Sequence, residues 1–190
     1  MPILGALMGF SLFLGAASFP NQNAVAPRTV ASAPVAIPGY SVTLTAYNAV
    51  AAQTDNNPFE TASGAYSNPE VIAARSGNLA DELPFGTIIE LDGSNASNDT
   101  CGFGAVAPLV GYRVIEDTMN PRYTDRIDVL FDTKSNYVRT NGTEINAANI
   151  LGICKGVTFR VVGHVDFNHI PKTQEQLAAL VGKASQLALK

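Results

Sequence analysis

Between residues 40 and 165 the chain is a succession of short β-prone runs, interrupted by proline, glycine and asparagine too often for a layer of long helices. Residues 41–47 (Ser-Val-Thr-Leu-Thr-Ala-Tyr) alternate with period two behind Pro38-Gly39, which predicts a half-buried strand. Residues 71–74 (Val-Ile-Ala-Ala) form a short apolar run, and Pro84 and Gly86 punctuate the entry to another at 87–91. Residues 110–115, 127–131 and 156–165 complete the set, with brief helical turns expected at 133–138 and 144–151. Many short strands with few helices predict a mainly β fold, a small closed barrel rather than a parallel α/β sheet.

The two ends differ in kind. Residues 2–23 carry no charged side chain and 3–19 are almost wholly apolar, so residues 1–20 are expected to be a secretory signal or membrane anchor, against the competing reading of a buried core helix. Residues 21–39, with Pro27, Pro34 and Pro38, read as an extended linker. The barrel domain is then expected over 40–170. At the other end, Thr173 and Gln176 make a capping box, and Leu177, Leu180, Val181, Ala184, Leu187 and Ala188 recur at helical spacing. An amphipathic helix over 171–190 is expected to pack on the barrel or on a partner.

Composition excludes some functions. A net charge of −4 with no basic run removes the electrostatic footprint of a nucleic-acid binder. Cys101 and Cys154 lack the spacing of a zinc or redox site; in an oxidising compartment they form one disulfide, and in a reducing one they are two buried thiols. With an exported chain the bridge is the expected state. His164 and His169 read as surface residues, and no metal or cofactor is expected.

The chemistry concentrates between Asp117 and Phe131. Tyr112-Arg113-Val114-Ile115 enters this stretch as a strand, Asn120-Pro121 turns it, and Ile127-Asp128-Val129-Leu130-Phe131 leaves as a strand. Asp128 interrupts an apolar run, and burying a carboxylate there is costly unless it is paired or neutralised. If the turn folds back as a hairpin, Asp117 and Asp128 face each other, and neighbouring carboxylates push one pKa upward. Simple alternation instead puts Asp128 opposite Ile127 and Val129, in water.

Three blocks in order resemble the three-aspartate (3D) domain of bacterial cell-wall proteins. Thr45-Ala46-Tyr47 with Thr61-Ala62-Ser63-Gly64 resembles its opening strand and loop. Residues 71–74 with Leu83-Pro84-Phe85-Gly86-Thr87 resemble its Ala/Val run and Pro-[Leu/Phe]-Gly-Thr element. Asp117-Thr118, followed by Arg126-Ile127-Asp128-Val129, resembles its Asp-Thr-Gly-Gly…Arg-Ile-Asp motif in residue type and spacing. The resemblance implies a six-stranded double-psi β-barrel, shared with membrane-bound lytic transglycosylase A and stationary-phase muralytic proteins, and exported enzymes that cleave peptidoglycan glycan strands to 1,6-anhydro products.

Carried over by position, Asp128 matches the catalytic acid/base and Asp117 the aspartate beside it. The first aspartate of the three is represented by Asp81, at an unusual offset, with Asp55 the outsider. Substrate-facing roles are expected for Tyr47, Thr61, Ser63, Thr118, Arg122, Tyr123 and Arg126. The family's glycine pair and lysine-glycine pair are replaced here by Met119-Asn120 and Pro121-Arg122-Tyr123-Thr124-Asp125, so that Arg122 and Tyr123 offer a cation and a stacking face. Two other functional classes compete with the lytic enzyme: a non-catalytic, expansin-like glycan-binding barrel, and an exported interaction domain docking through its C-terminal helix.

Overall fold

The computed structural model describes residues 39–188 apart from 56, 98 and 99, with side chains through residue 183. The apolar segment and linker expected at the N-terminus lie outside the described residues. Six strands close into a barrel in the order β1 (Tyr40–Asn48), β5 (Arg126–Phe131), β2 (Ile72–Arg75), β4 (Tyr112–Thr118), β3 (Thr87–Asp92) and β8 (Cys154–His164). Closure removes the exposed edges that short strands would otherwise present. Two neighbouring pairs, β1 with β5 and β2 with β4, run parallel, and the other four are antiparallel.

Alternation divides the strand residues between two apolar clusters. Leu44, Ala73, Ile89, Ile115, Ile127, Val129, Val157 and Phe159 make the inner one, which continues into α1 (Phe103–Val110) and α2 (Ala147–Leu151) through Val106, Val110, Ala147 and Leu151. Ile72, Ala74, Ile88, Val114 and Leu130 point the other way, into a second cluster that Leu177 and Val181 of α3 (Gln174–Ala188) join. Leu177 is fully buried, and its burial contributes roughly 2 kcal/mol to holding the helix on the outer face. At the start of α3 the Thr173 hydroxyl accepts from the Gln176 N–H at 3.3 Å, while the Gln176 side chain accepts from the Lys172 N–H at 2.9 Å. The expected cap is therefore shifted by one residue on its return bond. The side chains of Ala184, Leu187 and Ala188 lie outside the described set.

Several local expectations are corrected. Val110 ends α1 instead of opening a strand; Gly102 and Gly111 flank that helix and Pro108 lies within it, which hides it from pattern reading. Residues 133–138 contain β6 (Asn136–Val138), not a helical turn, paired with β7 (Glu144–Asn146). Of the helical turn expected over 144–151, only Ala147–Leu151 is helical, capped by the Asn146 side chain accepting from the Ala148 N–H.

Cys101 and Cys154 are joined by a disulfide, tying the loop before α1 to the start of β8 across a separation of 53 residues. Arg113, fully buried, binds backbone carbonyls of Val110, Pro69, Leu130 and Leu109, fastening α1 to β4. Burial pulls its pKa down to about 9.

Candidate active site

The hairpin expected between Asp117 and Asp128 does not form, because β2 lies between β4 and β5. What forms instead is a lateral row across four strands. Thr45 pairs with Asp128, Asp128 with Ala74, and Ala74 with Asp117. Lateral neighbours share a face, so all four side chains project from the same side of the sheet. Two strand spacings of about 4.8 Å put the aspartate backbones roughly 10 Å apart. Alanine between them leaves the intervening space open.

Asp117 reaches that row through a bulge. Ala73 is paired with Ile115 and Ala74 with Asp117, leaving Glu116 as the extra residue. Strict alternation after outward Val114 and inward Ile115 would have aimed Asp117 inward. One inserted residue reverses that assignment, the local re-aiming that bulges provide. Glu116 is itself buried, with neither carboxylate oxygen in a regular hydrogen bond. Burial raises its pKa, opposed by the nearby Ser63 hydroxyl, the Gly86 N–H and the charge of His164.

Thr45, Ala74, Asp117 and Asp128 stand in the wall of a cavity of about 780 Å³, to which Gln53, Thr54, Asp55, Glu60, Ala62 and residues of the 118–126 segment also contribute. Asp128 is half-buried there and accepts from the Thr45 hydroxyl at 2.8 Å. Its pKa is pushed up to about 6, first by burial and last by the charge of Asp117, while the Thr45 bond and the Arg126 charge act in the opposite direction. Both causes expected from the sequence, partial desolvation and the neighbouring carboxylate, act on Asp128, and desolvation is the larger.

Asp117 is held differently. It accepts from the Tyr47 hydroxyl at 2.8 Å, the Ala62 N–H at 2.9 Å and the Thr118 N–H at 2.8 Å. Three donors converge on it, so its geometry is that of a fixed acceptor that also anchors the 61–65 loop. Thr61 and Ser63 stabilise that loop from inside. The Thr61 hydroxyl bonds Ser63 and the Ala65 carbonyl, and neither side chain lines the cavity.

Tyr47 borders the cavity but is 8% exposed, its ring among the outer apolar residues and its hydroxyl on Asp117. It supports the site and offers no stacking face. Burial and the adjacent Asp117 raise its pKa. Asp81 is exposed, favours the charge of Arg75, and does not line the cavity, whereas Asp55 does. Thr118, Arg122, Tyr123 and Arg126 all line it, and both guanidinium groups lie over the Tyr123 ring, at 4.7 Å for Arg122 and 4.6 Å for Arg126.

Sequence reasoning passed over two contributors. Thr45 was readable, since it shares the outward phase of Tyr47 on the first strand. The Ala62 N–H was not, because a backbone donor leaves no mark in residue type.

The structure defines a closed, mainly β six-stranded barrel carrying on its outer face an open cavity with one raised-pKa carboxyl and one clamped carboxylate. No protein-family model matches the chain, and no curated protein matches it in sequence.

Proposed function

We propose that this chain is an extracytoplasmic lytic transglycosylase that cleaves peptidoglycan-type glycan strands, with Asp128 as its general acid/base. The observation that carries this reading is the Thr45–Asp128–Ala74–Asp117 row, in which a carboxyl with a pKa of about 6 opens onto a cavity large enough for sugar rings. The parallel β1–β5 and β2–β4 pairs in an otherwise antiparallel closed barrel support the further reading that the barrel is of the double-psi type.

A carboxyl with that pKa is half protonated at pH 6, so it can give a proton and take one back near neutrality. In the proposed reaction the Asp128 carboxyl protonates the oxygen of the β-1,4 bond as that bond breaks. The resulting carboxylate takes the proton from the C6 hydroxyl of the same muramyl residue, whose oxygen closes on C1 to give the 1,6-anhydro ring. Asp128 ends protonated, as it began, and no water is consumed. Asp117, held by its three donors, supplies negative charge near the oxocarbenium-like transition state.

The test is mass spectrometry of glycan strands incubated with the full chain, beside Asp128→Asn. Anhydro-muramyl products that fall at least about a thousandfold in the variant are expected, since an amide cannot deliver the proton. Reducing-end products would assign hydrolysis instead. Strands retained in a pulldown without any product would assign a binding module.

A further inference from the structure

Arg122, Tyr123 and Arg126 are the cavity-lining residues that the glycan reading leaves without a defined ligand. Two guanidinium groups over one phenol ring are attracted by its face but repel each other. Arg122 also donates to the Tyr123 hydroxyl at 2.8 Å. Among the described residues the ion pair found is Arg160 with Glu90, and neither Arg122 nor Arg126 is paired with a carboxylate.

The adjacent acid in sequence, Asp125, would be the natural partner, yet the fold turns it away. Asp125 has φ +52°, a conformation disfavoured for a residue with a Cβ. There its carboxylate accepts from the Asn78 side-chain amide at 2.7 Å, and its N–H donates back to the Asn78 side-chain oxygen at 3.0 Å. Its carbonyl accepts from the Thr43 N–H at 2.9 Å, and the Arg126 N–H donates to the Ser76 hydroxyl at 3.0 Å. The segment is thus fastened with its own carboxylate engaged elsewhere and both arginines on the cavity wall.

The remaining charged groups described on that wall are Asp55, Glu60, Asp117 and Asp128, all acidic. The arginine pair is therefore the place along it where an oxyanion meets positive charge, and guanidinium groups suit carboxylates in both geometry and charge. We infer that Arg122 and Arg126, held over Tyr123, form an oxyanion subsite that selects glycans carrying a carboxylate over neutral ones of the same length. This rests on the glycan-cleaving reading and adds the charge of the substrate to it.

The experiment is calorimetric binding of three tetrasaccharides to the full-length Asp128→Asn protein, which removes turnover. One is an alternating N-acetylglucosamine/N-acetylmuramic acid tetrasaccharide with free lactyl carboxylates, the second is the same compound with those groups converted to amides, and the third is chitotetraose. The free acid is expected to bind at least about tenfold more tightly than its amide, with that ratio shrinking as salt rises. Adding Arg122→Gln and Arg126→Gln is expected to bring the ratio of acid to amide binding close to one. Equal binding of acid and amide, or a ratio unchanged by the arginine substitutions, would overturn the subsite and leave the glycan reading standing. Failure of all three sugars to bind would overturn both.

Discussion

Replacing Asp128 by asparagine should make the protein more stable above pH 6 and leave it nearly unchanged at pH 3. The side chain is isosteric, and its oxygen can keep the Thr45 hydroxyl bond. What it loses is the ability to ionise in a half-buried position. For the wild type, an unfolded carboxyl titrates at about 3.8 and the folded one at about 6. Between those values the folded protein holds a proton that the unfolded chain has released, so stability falls as pH rises and levels off above pH 6. The full difference corresponds to about 3 kcal/mol, with roughly half of it developed by pH 5. For a chain of this size that is an increase in Tm of roughly 6–12 °C for the variant at pH 7.5. Other groups titrate in both proteins and cancel in the difference. Thermal melts of both at half-unit intervals from pH 3 to 8 measure the curve. A difference that stays flat from pH 4 to 8 would mean that Asp128 titrates like a solvated carboxyl, and the desolvation argument would fail along with the proton-transfer role built on it.

Two further outcomes follow from the same geometry. Ala74→Leu places a branched side chain between Asp128 and Asp117; it should cost about 1–3 kcal/mol through overpacking, lower glycan cleavage by at least about a hundredfold, and leave the far-ultraviolet circular dichroism unchanged. Full activity in this variant would show that the space between the carboxylates is not where substrate sits. Cutting the Cys101–Cys154 bridge, which closes a loop of 53 residues, should destabilise the domain by about 4 kcal/mol, visible as a fall in Tm of roughly 8–16 °C with reductant or in Cys101→Ser/Cys154→Ser. A Tm unmoved by reductant under conditions where both thiols are shown to be free would remove the bridge from the stability of the fold.

The barrel was legible in the sequence because its strands announce themselves locally. Period-two alternation in 41–47 and the apolar run at 71–74 needed no knowledge of their partners, and both are strands. Pairing is another matter. Nothing in the eleven positions from Asp117 to Asp128 says that a strand from forty residues earlier inserts between them, because that contact is made at long range. The face of Asp117 was hidden for a second reason, since a one-residue bulge at Glu116 leaves no consistent mark in composition. Asp128 was visible as an anomaly, a charge between Ile127 and Val129, but both simple readings of it were incomplete. Alternation does aim it away from the inner core. Loops drawn from elsewhere in the chain then cover that outer face, and they turn a position that would have been solvent into a half-buried one.

That division explains why the site can combine a stable fold with a poised acid. The inner face of β5 carries Ile127 and Val129 at 0% exposure and closes the barrel core without any polar compromise. The cost of an uncomfortable carboxyl is confined to the outer face, where Thr45 and Arg126 limit it from one side and burial raises it from the other. Asp117 is clamped from β1, from the 61–65 loop and from its own neighbour Thr118, so it keeps its place whatever occupies the cavity. The loops of the outer wall, the 119–125 segment with its arginine and tyrosine among them, are therefore separate from the Thr45–Asp128–Ala74–Asp117 row, which strand register and the bulge at Glu116 set.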